Sequence, residues 1–406
     1  MYKRLRTNAL PATLRQGVLV DHAGVPRFWA TVWATLRLSD AASSSEERKL
    51  RFLDSLYCHA DSMMGCGALD AAIHRIDVAS LASILESWFV SIVNRSSSRL
   101  NDEARWRVGF GFVSDTVTWL SKSSPPGHDL RNIERRLHRL THLYKQLHVA
   151  RSRQPTMIRS LPASVVESLY VLLDPAAAAN PFRSERTRWI VFVGFLLLLH
   201  QGLRRGELLQ LPADAVRSAY DSRQDRDRFW INIQTNPYED ASLDPRSSRP
   251  GIKTAESIRQ LPLSKTMANL VESYVDNYRG RPSHSYLFNS QRQLPLSTES
   301  LTKFFAKISE SLPKSALDDL SARNGRNTIT PHDLRHTCAV IRLNQLLANG
   351  DHMDLATQKL RAFFGWSRES MMPMRYASAV FEDRLSSVWS AEFDSQVEIL
   401  RNLRNL

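Results

Sequence analysis

Thr330-Pro331-His332-Asp333-Leu334-Arg335-His336-Thr337 reads as the opening of a helix that carries chemistry on its first turn. Pro331 suits the first helical position, where a missing N–H leaves no hydrogen bond unmade. His332 and Arg335, three residues apart, then share one face. They stand at a helix start, whose dipole favours an anion. A capped surface helix with solvated charges would look the same locally, so the surrounding sequence decides the weight of this string.

Upstream, Gln201-Gly202-Leu203-Arg204-Arg205-Gly206-Glu207-Leu208 follows the apolar run from Trp189 to Leu199. One-turn spacing puts Glu207 where it can orient Arg204, with Arg205 as a one-residue rival. Further on, Arg228 to Gln234 alternates as a strand and Arg259 to Leu263 looks like its partner, with Asp214 to Ala219 leading in. Thr235 to Pro250 reads as an extended loop, and Lys253 follows it in Gly251-Ile252-Lys253-Thr254, with Lys265 a more distant alternative. Helices are expected over 296–312, 332–348, 354–364 and 367–380. Phe363-Phe364-Gly365-Trp366 ends one of them, and Ser367 to Ser370 opens the next, placing Tyr376 two to three turns along it. No tyrosine follows Tyr376.

These residue types form the inventory for attacking a phosphodiester with a phenolic oxygen. Such a transition state gathers charge on its nonbridging oxygens, and the planar, always-charged fork of arginine binds those best. An indole N–H, as in Trp366, can donate to the same oxygens. The leaving oxygen needs a proton, which a lysine on a flexible stem can deliver. Histidine can take or hold the proton of the nucleophile, and tyrosine can form the covalent intermediate. That intermediate conserves the phosphodiester energy, so neither ATP nor a metal ion is called for.

Composition points the same way. The 406-residue chain has a formal net charge of +13, which favours a polyanionic partner, nucleic acid first. Its 43% hydrophobic content supports sizeable cores. The three cysteines, Cys58, Cys66 and Cys338, form no CxxC pattern or His/Cys spacing that suggests zinc, and no cofactor is expected. The basic Met1–Arg6 start lacks a following apolar region, and the eleven-residue run from Trp189 falls short of the ~20 needed for a bilayer span. A cytoplasmic protein without membrane attachment is the expectation, nucleoid-associated in a prokaryote.

The strings around Arg204, His332–Thr337 and Trp366–Tyr376 resemble the tyrosine recombinase (phage integrase) family. The resemblance implies a mainly α fold with a small antiparallel β element: a helical core-binding domain followed by a catalytic domain, the two closing on duplex DNA. It implies Tyr376 as nucleophile, giving a 3′-phosphotyrosyl link, with Arg204, Arg335 and Trp366 stabilising the phosphorane. Lys253 becomes the general acid on a β-hairpin and His332 the proton-handling residue. Glu207 and His336 support them, with Thr337 nearby. Trp366 stands where most members have histidine, and the interval to Tyr376 is one residue longer than usual. A specific double-stranded recombination site, a Holliday-junction intermediate and a homo-tetramer on DNA are further implications. A type IB topoisomerase-like enzyme and a non-catalytic DNA-binding relative are the alternative readings.

Residues 1–44 read as an extension of unassigned role, although Phe28 to Trp33 could be a short helix or strand. Residues 45–150 read as the helical DNA-binding domain. Its helices begin near Ser44 with Leu50, Leu53, Leu56 and Tyr57 inward, continue over Val78–Val93 and Asp102–Leu120, and end with Ile133–Val149. The last carries Arg135, Arg136 and Arg139 outward, and a basic linker, 151–155, adds Arg151 and Arg153 as phosphate contacts. The catalytic domain spans 156–395 and a tail 396–406. An apolar terminal helix from Glu382 is a candidate for docking on a neighbouring protomer.

Overall fold

The computed structural model describes residues 1–4, 17–39, 43–94, 99–122, 159–239, 244–246, 250–252 and 254–377. The chain divides into two compact units, Met1–Gln154 and Pro155–Leu406. Among the described residues both are mainly helical and each holds one small antiparallel sheet, which is the fold class the sequence leads one to expect.

In the first unit β1 (Tyr2–Arg4) pairs with β2 (Gly17–Leu19), Tyr2 opposite Leu19. Among the described residues five helices follow: α1 (Phe28–Arg37), α2 (Ser43–Met64), α3 (Ala68–His74), α4 (Val78–Val93) and α5 (Arg99–Lys122). The Trp-rich piece left open between helix and strand is α1. Its Trp33 is buried and donates its indole N–H to Asp115 on α5 at 2.9 Å. Leu19, Ala30, Trp33 and Leu38 share one core with Leu53, Leu56, Tyr57, Ile84, Trp88 and Phe112. The segment before residue 44, set apart in the sequence reading, therefore helps build this core. Asp77 caps α4 by accepting the N–H groups of Ala79 and Ser80. On α5 the inward ring is Phe112, whereas Phe110 is half-buried and stacks on Trp106. The seven-residue α3 is too short for its apolar pattern to stand out in sequence. The expected Ile133–Val149 helix and the 151–155 linker lie outside the described residues.

The second unit is organised around α7 (Glu185–His200), which buries Ile190, Val193, Phe195, Leu197 and Leu198 on nearly all sides. A helix apolar all round belongs at a centre. Before it comes α6 (Ala163–Leu173), and after it the short α8 (Arg205–Gln210). The sheet has three strands in the order β3 (Val216–Asp221), β4 (Arg226–Ile233), β5 (Arg259–Leu263), all antiparallel. The Asp214–Ala219 lead-in is thus largely a strand itself. Ile231 sits between Val216 and Leu261 and faces the core. Pro262 is tolerated because β5 is an edge strand. Around this lie α9 (Lys265–Asn277), α10 (Thr298–Glu310), α11 (Lys314–Asn324), α12 (Pro331–Ala348) and α13 (Met353–Phe364).

The helix expected to open at Ser367 does not: Ser367 to Ser370 form a turn, with the Ser370 N–H bonded to the Ser367 carbonyl at 3.0 Å. Helical structure begins at 372, where the Ser370 hydroxyl accepts the Met372 N–H and Pro373 fills an early position that lacks an intrahelical acceptor. Tyr376 therefore lies in the second turn.

Candidate active site

Thr330 caps α12 in the manner its sequence invites: its N–H and its hydroxyl both donate to the Asp333 carboxylate, at 2.9 and 2.6 Å. The Thr337 hydroxyl accepts the Leu161 N–H at 2.8 Å, tying α12 to the chain entering α6. Thus fixed, the helix sends Arg335 inward, 2% exposed. Its Nη1 donates to the Gly202 carbonyl and its Nη2 to that of Phe364, the latter at 2.8 Å. The guanidinium also lies over the rings of Phe364 and Trp366, at 4.9 and 5.6 Å from their centroids.

Two glycines bring these carbonyls together. Gly202 and Gly365 both adopt left-handed backbone, φ 57° and 59°. A side chain at Gly202 would collide with the Phe364 ring, and one at Gly365 would stand 2.8 Å from the Glu256 carbonyl oxygen.

Glu207 is the hub of the charge cluster. It accepts the Arg204 N–H at 3.0 Å and the Arg204 side chain, and the Arg259 guanidinium at 3.0 Å, with Arg335 3.8 Å away. Burial works to raise the Glu207 pKa, but Arg259, Arg335 and Arg204 together outweigh it and hold the carboxyl below its ordinary range. Burial draws the Arg335 pKa down to about 9, with Arg204 adding to the effect and Glu207 opposing it. Arg204 also donates to the Ser257 hydroxyl at 2.8 Å and the Gly365 carbonyl at 3.2 Å. Its neighbour Arg205 is exposed and takes no part in these contacts. The three guanidiniums differ in access: the side chain of Arg204 is 22% exposed, that of Arg259 7% and that of Arg335 3%.

Beside this cluster Tyr376, 4% exposed, shares a hydrogen bond with His336 Nδ1 at 2.7 Å and stacks on Trp366 with ring centroids 5.6 Å apart. Burial pushes the phenol well above its ordinary range, although Arg335 and Arg375 pull the other way. His336 is pushed down to about 3, first by burial and then by His332, Arg159 and Arg335. The pair therefore rests uncharged at neutral pH. His332 is more exposed and packs edge-on against His336, ring centroids 4.3 Å apart. Lost hydration on its packed side, then Arg159 and Arg335, hold its pKa low as well.

Arg204, Glu207, Arg335, His332, His336, Trp366 and Tyr376 are thus brought into one connected set. Lys253 lies outside the described residues, as do Arg135, Arg136, Arg139, Arg151 and Arg153. Arg259 and Arg159 were not singled out in sequence. Arg259 had a signal: on β5 it shares a face with Leu261 and Leu263, both inward. An arginine on the buried side of a strand asks for a partner, and Glu207 is that partner.

A family model described as the phage integrase family matches residues 160–382, more than half of the chain. The chain belongs to the phage integrase family, the tyrosine recombinases, and is an enzyme of DNA recombination. A search of curated proteins finds no match. Among solved structures, this chain is similar to a XerA recombinase crystal structure at 16% identity and a TM-score of 0.33, over 90% of this chain and 98% of that one. No helix among the described residues is long and apolar enough to cross a membrane.

Proposed function

We propose that this enzyme cuts and rejoins duplex DNA at a specific site through a 3′-phosphotyrosyl link to Tyr376, passing through a Holliday junction in a homo-tetramer on DNA. The observation that carries the reading is the charge imbalance around Glu207. Three guanidiniums converge on one carboxylate, and Arg204, the one nearest solvent, has Tyr376 close by through Trp366 and Arg335. Excess buried positive charge is costly unless an anion arrives, and a phosphate has the geometry guanidinium forks bind.

In this mechanism Arg204 meets the scissile phosphate first. Arg335 spends two of its five N–H donors on carbonyls and turns others to the phosphorane, joined by the Trp366 indole. Tyr376, docked and neutral at rest, rotates out to attack phosphorus. The phenolic proton passes to the histidine pair, with His336 in direct contact and His332 behind it. The P–O bond to the 5′ oxygen breaks as the tyrosyl bond forms, and Lys253 protonates the leaving oxygen. Glu207 and Arg259 position Arg204. In the first unit, Arg135, Arg136, Arg139, Arg151 and Arg153 contact phosphates.

Covalent trapping in cells tests the proposal. After denaturation, site-specific DNA should remain attached to the wild type and be absent from Tyr376→Phe. DNA recovered equally from both would end the nucleophile assignment. A two-site plasmid carrying the recovered sequence should yield recombinant junctions; relaxation without junctions would favour a topoisomerase-like enzyme. For the acid, Lys253→Ala should slow cleavage roughly 10²–10⁴-fold, the range of a lost general acid, and regain it when sulfur replaces the 5′ leaving oxygen. Without that rescue Lys253 has another role.

A further inference from the structure

The first unit brings together three residues that its sequence keeps apart. Asp21, His22 and Cys66 place a carboxylate oxygen, an imidazole nitrogen and a thiol sulfur all within 4.8 Å of one another. Cys66 Sγ is 3.6 Å from His22 Nδ1. We propose that these residues form a zinc site, with water completing a tetrahedron.

The His–Cys spacing fits that ion. With Zn–S ~2.3 Å and Zn–N ~2.1 Å at tetrahedral angles, the S···N edge is about 3.6 Å. The carboxylate needs only a side-chain adjustment to close, and all three residues reach the surface. Both supporting loops are built. The Asp21 turn is closed by the Asp21 N–H on the Val25 carbonyl at 2.8 Å, and Asp21 Oδ1 accepts the N–H groups of Ala23 and Val25 at 2.9 and 2.8 Å. Its Oδ2 is the oxygen that faces no main-chain donor, and so is the one to ligate. Cys66 stands between Gly65 and Gly67, both with left-handed backbone. That loop is held by Asp61, whose carbonyl and Oδ1 accept the N–H groups of Gly65 and Gly67, each at 3.0 Å.

Thiolate, imidazole and carboxylate together favour zinc over magnesium or calcium, which take oxygen sets. Binding forms the Zn–S bond and releases the Cys66 proton to solvent. The ion would join the turn ahead of α1 to the loop between α2 and α3, fastening the N-terminal strand pair and α1 to the helical core. The 44-residue separation of His22 and Cys66 explains why sequence spacing gave no sign of it.

The test is a titration of full-length, reduced protein with Co²⁺, reading the thiolate-to-cobalt charge-transfer band, then displacing the cobalt with Zn²⁺. One equivalent should bind. The band should vanish in Cys66→Ser, persist in Cys58→Ser, and need at least ~10-fold more Co²⁺ in His22→Ala. Zn²⁺ should raise the melting temperature of the wild type but not of Cys66→Ser, which separates loss of the site from loss of the fold. Absence of the band in folded wild type would overturn the site, leaving a thiol–imidazole hydrogen bond. A band that survives Cys66→Ser would overturn it too.

Discussion

Two carboxylates buried in the second unit, Asp244 and Glu207, meet arginine in different proportions. Among the described residues, Asp244 is paired with one arginine. Arg246 donates to both its oxygens at 2.6–3.0 Å through Nε and Nη2, and through Nη1 to the Leu209 and Leu296 carbonyls. Both side chains are almost wholly buried. One positive and one negative charge balance. Glu207 has three guanidiniums within 4 Å, so positive charge is left over, and one of the three reaches solvent. The same two residue types make a charge-balanced pair in one place and, in the proposed function, an anion receptor in the other. The stoichiometry and the exposure of Arg204 make the difference.

The contrast can be broken from either side. Arg246→Met removes the arginine paired with a buried carboxylate, and should cost ~3–5 kcal/mol of stability in chemical denaturation while leaving cleavage per folded molecule unchanged. A large loss of cleavage in the folded variant would mean the balanced pair also serves the chemistry. Arg204→Ala should do the reverse, slowing cleavage on a suicide substrate about 10²–10³-fold, the range for removing one donor to a developing oxyanion, with a far smaller change in unfolding free energy. Equal effects on stability and rate would erase the distinction. The smallest effect concerns pH. His336 has a folded pKa of about 3 against an ordinary 6.5. The unfolded chain therefore binds more protons between these values, and stability is lost as pH falls from 6.5 toward 3. Wild type should lose more unfolding free energy than His336→Gln between pH 7 and pH 5. Equal losses would mean His336 is not held neutral by its surroundings.

Much of this site was legible in sequence because local rules agree there. Thr330, Pro331 and Asp333 specify a helix start, and the three-residue step from His332 to Arg335 specifies a face. Arg204 and Glu207 are close enough in the chain for spacing to link them. Arg259 escaped because its partner is 52 residues away and no local pattern joins them. The contact of His336 with Tyr376 was equally hidden, since it depends on where the last described helix begins. That start was misplaced to Ser367 because Ser367 to Ser370 look like a helix opening, whereas Ser370 and Pro373 set it later. In the first unit, β1 and α3 were too short to announce themselves, although α4 was bounded correctly from its apolar spacing alone.

Tyr376, docked against His336 and Trp366, is the proposed nucleophile. The most direct test digests a trapped covalent protein–DNA adduct with protease and sequences the peptide that carries the nucleotide by mass spectrometry. A phosphotyrosyl modification on Tyr376 alone is the expected result. A nucleotide on any other residue would contradict it.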